Sequence, residues 1–304
     1  MPDEYLWDRS GEPDSEIAKL EKLLARYRYS ARAKRFILRP AALLAIAAGV
    51  VLIASVIFWL VRRPASDWRM AGKPVGVGQT VETRNESAKL ESQFVGELRL
   101  DPNSRLQVRA SRGGTQQLAL QRGTMHALIW APPSRFVVDT PSARTIDLGC
   151  SYTLSVLDDD SGMLTVQTGW VAFQAGSIES FIPAGAACRT RPHFGPGLPY
   201  FEDATSTFRE AVAKFDASGG REGLEAIVAN ARKRDALTLW HLVIRTSGTD
   251  RSLAVKRFAR LVPGVNTSGL DSGIGTAIDQ AWDLLGLGAT DWWRTWKHDW
   301  PRQP

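Results

Sequence analysis

Cysteine, histidine and methionine are scarce in this chain, with two, four and four residues among 304. Two cysteines, Cys150 and Cys188, cannot build a disulfide-dense scaffold. His126, His193, His241 and His298 are scattered, and none has a second histidine or cysteine at metal-ligand spacing. A zinc or haem centre therefore lacks its ligands. Gly76-Val77-Gly78 and Gly273-Ile274-Gly275 lack the further glycines and the lysine of a phosphate-cradling turn. No nucleophile elbow is present. The sequence thus predicts no catalytic residue, no cofactor and no metal, and a protein that is not an enzyme. Asp158-Asp159-Asp160, ahead of Ser161-Gly162, is read as a solvated hairpin tip rather than a calcium loop.

Charge of one sign is missing from particular stretches. The net charge is +6 and the pI about 9.5, which alone would suggest a nucleic-acid partner. Yet residues 1–16 hold six acids and one base, whereas residues 17–40 hold eight bases and only Glu21 as an acid. Beyond residue 61 the two signs nearly balance. The basic excess sits beside an apolar run, where a membrane accounts for it better than nucleic acid does.

That run, 41–61, has no charged residue, and Ser55 is its only hydroxyl. Twenty-one residues in a helix match the hydrocarbon core, about 30 Å thick at about 1.5 Å per residue. A buried core helix would be shorter and show a polar side. A cleaved signal peptide would not follow forty residues or be followed at once by Arg62-Arg63. The run is read as a single spanning helix in a bacterial inner membrane. Flanking bases set its direction. Seven, among them Arg32, Lys34, Arg35 and Arg39, precede it within twenty residues; only four, including Arg62 and Arg63, follow. The N-terminus is expected in the cytoplasm and the C-terminus in the periplasm.

Residues 1–40 then form a cytoplasmic stub. Glu12-Pro13-Asp14-Ser15 reads as a helix start. Ile17, Leu20, Leu24 and Tyr27 follow at helical spacing, and Tyr5-Leu6-Trp7 lies ahead in an acidic setting. Forty residues cannot bury a core alone, so this stripe needs either a protein partner or an anionic lipid surface.

After a linker, 62–74, short alternating segments such as 97–100, 105–109, 117–120, 136–138, 152–156, 164–166 and 170–173 run between turn signals. This predicts an all-β domain over 75–200, as sandwich, barrel or β-solenoid. Four of its steps carry a family resemblance. They are Leu100-Asp101-Pro102-Asn103-Ser104-Arg105-Leu106, then Leu118-Ala119-Leu120-Gln121-Arg122-Gly123-Thr124-Met125. Phe136-Val137-Val138-Asp139-Thr140-Pro141 with Ile146-Asp147-Leu148-Gly149 comes next, and finally Leu164-Thr165-Val166-Gln167-Thr168-Gly169-Trp170-Val171. In this order behind an apolar segment, the region resembles the FecR family of membrane-spanning regulators. The resemblance implies an exported sensor domain and a cytoplasmic N-terminus that holds an extracytoplasmic-function sigma factor. Tyr5, Leu6, Trp7, Ile17, Leu20 and Leu24 are the contact residues this would use. A second function class stays open: an envelope scaffold that binds a cell-wall polymer, glycan or envelope protein.

In an oxidising compartment an even pair suggests a Cys150–Cys188 bridge, closing a loop worth about 3–4 kcal/mol; two buried thiols are the alternative. Helical spacing returns over 201–304. Phe208, Val212 and Phe215 mark one helix, and Leu224, Ile227, Val228 and Ala231 a second. Leu237, Trp240 and Ile244, then Leu253, Phe258 and Leu261, mark two more. Ile274, Ile278, Ala281 and Leu285 mark a fifth. The chain closes on Trp292, Trp293, Trp296 and Trp300, expected with Trp282 to cap this small helical domain or to form a contact surface.

Overall fold

The computed structural model describes residues 15–27, 49, 68–112 and 114–287. The chain divides into two units, 1–63 and 64–304. The expected spanning helix lies, but for Gly49, outside the described residues. No helix among the described residues is long and apolar enough to cross a membrane.

In the first unit, α1 covers Ser15–Leu24 and continues into a 3₁₀ turn, Ala25–Tyr27. Glu16 sits in its first turn and Lys22 in its last, each on the favourable end of the helix dipole.

In the second unit sixteen strands come first. They are β1 Trp68–Met70, β2 Lys73–Val75, β3 Thr80–Glu82, β4 Ala88–Ser92, β5 Gly96–Leu100, β6 Arg105–Arg112, β7 Thr115–Ile129 and β8 Phe136–Asp139. They continue as β9 Arg144–Asp147, β10 Ser151–Val156, β11 Gly162–Thr168, β12 Trp170–Ala175, β13 Ile178–Pro183, β14 Ala186–Arg191, β15 Gly195–Pro196 and β16 Tyr200–Phe201. Six helices follow: α2 Ser206–Ser218, α3 Arg221–Asn230, α4 Ala236–Arg245, α5 Gly248–Leu261, α6 Thr267–Asp271 and α7 Gly275–Leu284. Five of these are the helices the spacing predicts; α6, at five residues, is too short to show a period.

The strands make two sheets. One runs β2-β1-β4-β5-β7-β10-β11-β14, with β15 and β16 both paired to β14; the other runs β3-β6-β7-β8-β9-β12-β13. Only β7–β8 is a parallel pair among the described strands. A solenoid stacks parallel coils and a barrel closes on itself; these pairings are antiparallel but for one and both sheets end in strands paired on one side only, which leaves the sandwich-like alternative. The inner faces share one core, which joins Leu106, Leu118, Phe136, Val138, Val171 and Phe173 to Leu90, Leu98, Met125, Tyr152, Leu154 and Leu164.

Strand β7 belongs to both sheets. Its first half pairs with β6 and β8, its second half with β5 and β10. Apart from Ala119, the buried positions are Gln116, Leu118 and Leu120 at first, then Met125, Ala127 and Ile129. Side chains alternate with period two, so the change from even to odd numbers needs one extra residue. The register supplies it: Arg105 lies opposite Arg122, but Leu106 lies opposite Leu120. This β-bulge bends the strand from one sheet into the other. Gly123 follows it at φ +86°, where a Cβ would stand 2.3 Å from Ser104 Oγ and 2.4 Å from Ser104 Cα. Only glycine fits there.

The expected linker 62–74 is partly strand. Trp68 of β1 is 1% exposed and its ring lies 5.9 Å from that of Phe136. The β region therefore begins at Trp68, because an indole this large contributes more when buried in the core than in a tether.

The helices are not a separate body. Trp282 of α7 packs on Trp170 and Phe181 of the β region at 5.8 and 5.7 Å, and on Trp240 of α4 at 4.6 Å. Trp292, Trp293, Trp296 and Trp300 lie outside the described residues. Since Trp282 is shared by both parts, Trp282→Ala should destabilise the second unit by about 3–5 kcal/mol. Urea unfolding followed by circular dichroism at strand and helix wavelengths checks this, and both signals should shift together.

Candidate functional site

Two places carry unusual chemistry. The first is α1, where Ile17, Leu20, Leu23, Leu24 and Tyr27 are all between 57 and 74% exposed. Ile17, Leu20 and Leu24 stand at intervals of three and four, so they share one face. The other predicted contacts, Tyr5, Leu6 and Trp7, lie outside the described residues, as do the flanking bases Arg32, Lys34, Arg35, Arg39, Arg62 and Arg63.

The second is the seam where the outermost strands β13 and β14–β15 meet beneath α4. Thr238, His241 and Arg245, three and then four residues apart, turn one face of α4 onto this seam. Thr238 Oγ1 donates to the Pro199 carbonyl at 2.7 Å. The Phe181 backbone N–H donates to His241 Nε2 at 3.0 Å, and His241 Nδ1 sits 2.9 Å from the Leu237 carbonyl. The ring thus carries its one proton on Nδ1. Burial, helped by the charge of Arg245, pushes its pKa down to about 3. Arg245 donates to the carbonyls of Pro196 and Glu179 at 3.1 and 3.0 Å, and to Ser180 Oγ at 2.5 Å. One guanidinium therefore ties the last strand of one sheet to the last of the other.

Beside this seam opens a groove of about 1080 Å³. Its walls are the β10–β11 hairpin tip, the β14–β15 turn and the end of α2. Leu157, Phe194 and Ile178 are exposed along it, and the Arg191 guanidinium lies 4.4 Å over the Phe194 ring. Arg189 and Arg191 supply positive charge, and Asp159 and Asp216 negative. Three buried polar atoms that line it have no hydrogen-bond partner within the protein: Thr190 Oγ1, Asp216 Oδ2 and Arg245 Nε. The other Asp216 oxygen accepts from the Leu198 N–H at 2.9 Å. Burial raises the Asp216 pKa to about 6 against the opposing pull of that bond and of Arg245. Apolar walls, paired arginines and unmatched donors and acceptors suit a ligand with an anionic group and an apolar part.

The cysteines occupy different surroundings. The Cys150 thiol donates to the buried Asp147 carboxylate, which also accepts from the Gly149 N–H at 2.8 Å. Burial lifts Asp147 to about 7, and it lifts the Cys150 thiol well above its usual range. Cys188 faces the Gly197 carbonyl, and burial pushes its thiol up to about 12. The expected bridge is not made, and both thiols are free. The register explains why. Cys188 lies opposite Leu164, which lies opposite Leu154, and Cys150 is four residues further along. That is about 13 Å along the strands and about 10 Å across them, beyond the reach of a disulfide.

His126 lies on the outer face of its sheet and has partners there. Its Nε2 is 2.9 Å from Asp101 Oδ2 and its Nδ1 is 3.0 Å from Thr153 Oγ1. Gln167 also donates to Thr153, and the group reads as cross-strand pairing. Among the described residues no cluster could hold a metal ion. Asp158 to Asp160 form the β10–β11 tip, where Asp159 accepts from the Ser161 N–H at 3.0 Å.

Residues 79–172 match the family model described as FecR protein. The chain carries a FecR region. It runs from β3 into β12 and so includes the bent strand β7, Gly123, the Asp147 turn and the hairpin at Gly169. A Cβ on Gly169, at φ +72°, would stand 2.2 Å from the Gly149 carbonyl, and Gly149 is itself at φ +88°, so each of these two positions in the FecR steps favours glycine. No curated protein matches the chain. Two crystal structures of a candidate anti-sigma factor from Parabacteroides distasonis ATCC 8503, at 1.65 and 2.50 Å resolution, resemble it at 15% identity and a TM-score of 0.37. The likeness covers 44% of this chain and 63% of that one, so the chain spans less than two thirds of that protein. A score of this size is too low to establish a shared fold.

Two outcomes follow from the site. Cys150 and Cys188 should resist an alkylating reagent in the native protein and both react after unfolding without reductant, as read by mass spectrometry. The second concerns His241, whose folded pKa of about 3 lies below its unfolded 6.5. The unfolded chain binds the proton first, so the stability from the neutral ring is full above pH 6.5 and is lost as pH falls towards 3. Wild type should lose up to about 1.4 kcal/mol per pH unit in this window relative to His241→Gln, measured by denaturant midpoints at each pH.

Proposed function

We propose that this protein is a single-pass inner-membrane regulator of FecR type. Its cytoplasmic stub holds an extracytoplasmic-function sigma factor, and its exported β–α unit reads the state of the envelope. The observation that carries the proposal is α1, a helix whose apolar side chains are all exposed. An amphipathic helix with no core of its own is built to lie in a groove on another protein. The acidic residues Asp3, Glu4 and Asp8 ahead of it complement the basic surfaces that a sigma factor needs for promoter DNA. The FecR region supports the regulatory role. The apolar run 41–61 and its flanking bases support the topology, with the exported unit in the periplasm and no nucleic-acid contact of its own. Within that unit, the groove under Arg189, Arg191 and Arg245 is where an envelope ligand would be read.

The test is co-purification of the full chain with each extracytoplasmic-function sigma factor of its host. Leu20→Asp with Leu24→Asp should weaken binding by about 2 kcal/mol or more, lowering affinity at least tenfold, while the protein still fractionates with membranes. A stub that binds anionic vesicles and no sigma factor would instead favour the envelope scaffold.

A further inference from the structure

Most of the large exposed apolar side chains of the β region gather at two ends of the β10 axis. At one end they line the groove already described. At the other stand Phe94, 69% exposed, Val77, 59%, Leu128, 51%, and Trp130, 50%. Single exposed apolar residues are ordinary, but a cluster calls for a partner.

Register shows that these four share one end of the sheet. Arg69 pairs with Glu91 and Met70 with Leu90, which puts Trp68 level with Ser92, where the turn that carries Phe94 begins. Gly96 pairs with Ile129, so Trp130 sits level with Val95, the last residue of that turn. Leu128 lies opposite Glu97 on the outer face. Val75 pairs with Trp68, so Val77 projects beyond the same level. The indole Nε1 of Trp130 donates to the Gln93 carbonyl at 3.1 Å, which holds its ring against the Phe94 turn. All four therefore lie at the end of the sheet where β1 begins at Trp68.

The tether is short. Six residues, 62–67, separate Val61 from Trp68, and fully extended they span roughly 20 Å. Arg62 and Arg63 open that tether, and Arg69 is exposed just after it. With 41–61 in the membrane, a tether this short and cationic would keep this end of the β region near the headgroups. Trp and Phe rings that present an apolar body and, for Trp, one N–H favour that depth.

We propose that Phe94, Leu128, Trp130 and Val77 form a lipid-contacting rim that seats the exported unit on the bilayer surface. This rests on the reading of 41–61 as a spanning helix. Seated so, the unit would turn its groove away from the membrane. Leu157, on the groove side, lies seven residues along β10 from Cys150, about 23 Å from the rim level.

The experiment uses the full chain in phosphatidylcholine nanodiscs. Single cysteines, Phe94→Cys, Trp130→Cys, Leu157→Cys and Ser55→Cys, are labelled with an environment-sensitive fluorophore. The native cysteines are buried and stay in place. A lipid with a nitroxide on its headgroup should quench the labels at 94 and 130 several-fold more than the label at 157. Equal quenching at 94, 130 and 157 overturns the rim, whether those labels then face water or are covered by a protein. Ser55→Cys, probed with a nitroxide deep on the acyl chain, reports the span by itself. Deep quenching at 55 without headgroup quenching at 94 and 130 rejects the rim and keeps the span. Rim quenching without deep quenching at 55 keeps the surface contact and removes the span.

Discussion

Strand β7 has to satisfy two sheets at once, and most of the second unit is arranged around how it does so. Its fifteen residues supply hydrogen bonds to β6 and β8, then to β5 and β10. A straight strand would present its second set of apolar side chains to solvent. The extra residue before Gly123 reverses the phase, so Leu118 and Leu120 and then Met125, Ala127 and Ile129 all enter one core. Ser104 closes over Gly123 and also bonds Thr124 on both sides of its peptide, with its hydroxyl 2.9 Å from the Thr124 N–H. The bend is thereby fixed rather than elastic.

The helices extend that rigidity. The α4 face of Thr238, His241 and Arg245 supplies acceptors and donors that strands β13 and β15 would otherwise lack, and Trp282 fills the space beyond. A histidine that accepts a backbone N–H must stay neutral, and burial, by disfavouring the charged ring, keeps it so. On the proposed reading, a β–α body joined by these bonds would respond to a change at its groove as one unit.

Much of this architecture was legible in the residues. Alternation with turn signals located β5, β6, the first half of β7, β8 and β10 to β12, and 3.6-residue spacing located α1 and five of the six helices after the sheets. The FecR steps were visible because their glycines answer local demands, a positive φ and a close carbonyl, that leave a mark in sequence. Strand β7 was not legible as one strand. Its two apolar sets are out of phase, and Arg122-Gly123 between them looks like a turn. Trp68 was missed because a three-residue strand has no period. The groove was hidden for another reason: Thr190, Asp216 and Arg245 come from β14, α2 and α4 and meet only in the fold. The cysteine pairing failed because an even count carries no register. The α1 face, in contrast, was complete in the sequence, since a helix defines its own faces.

The Arg245 contact has a consequence for how the unit can meet other chains. Strands β13 and β15 are the places where backbone donors and acceptors would lie open to a visiting strand, and the guanidinium and Ser180 occupy carbonyls there. The opposite margins of the sheets, β2 and β3, are three residues each, and β2 contains Pro74. Among the described residues, then, there is no long bare margin on which a foreign segment could be woven into either sheet. Recognition of a partner must come through side chains, and self-association by strand exchange or fibre growth is resisted by the same stitching that holds the helices on.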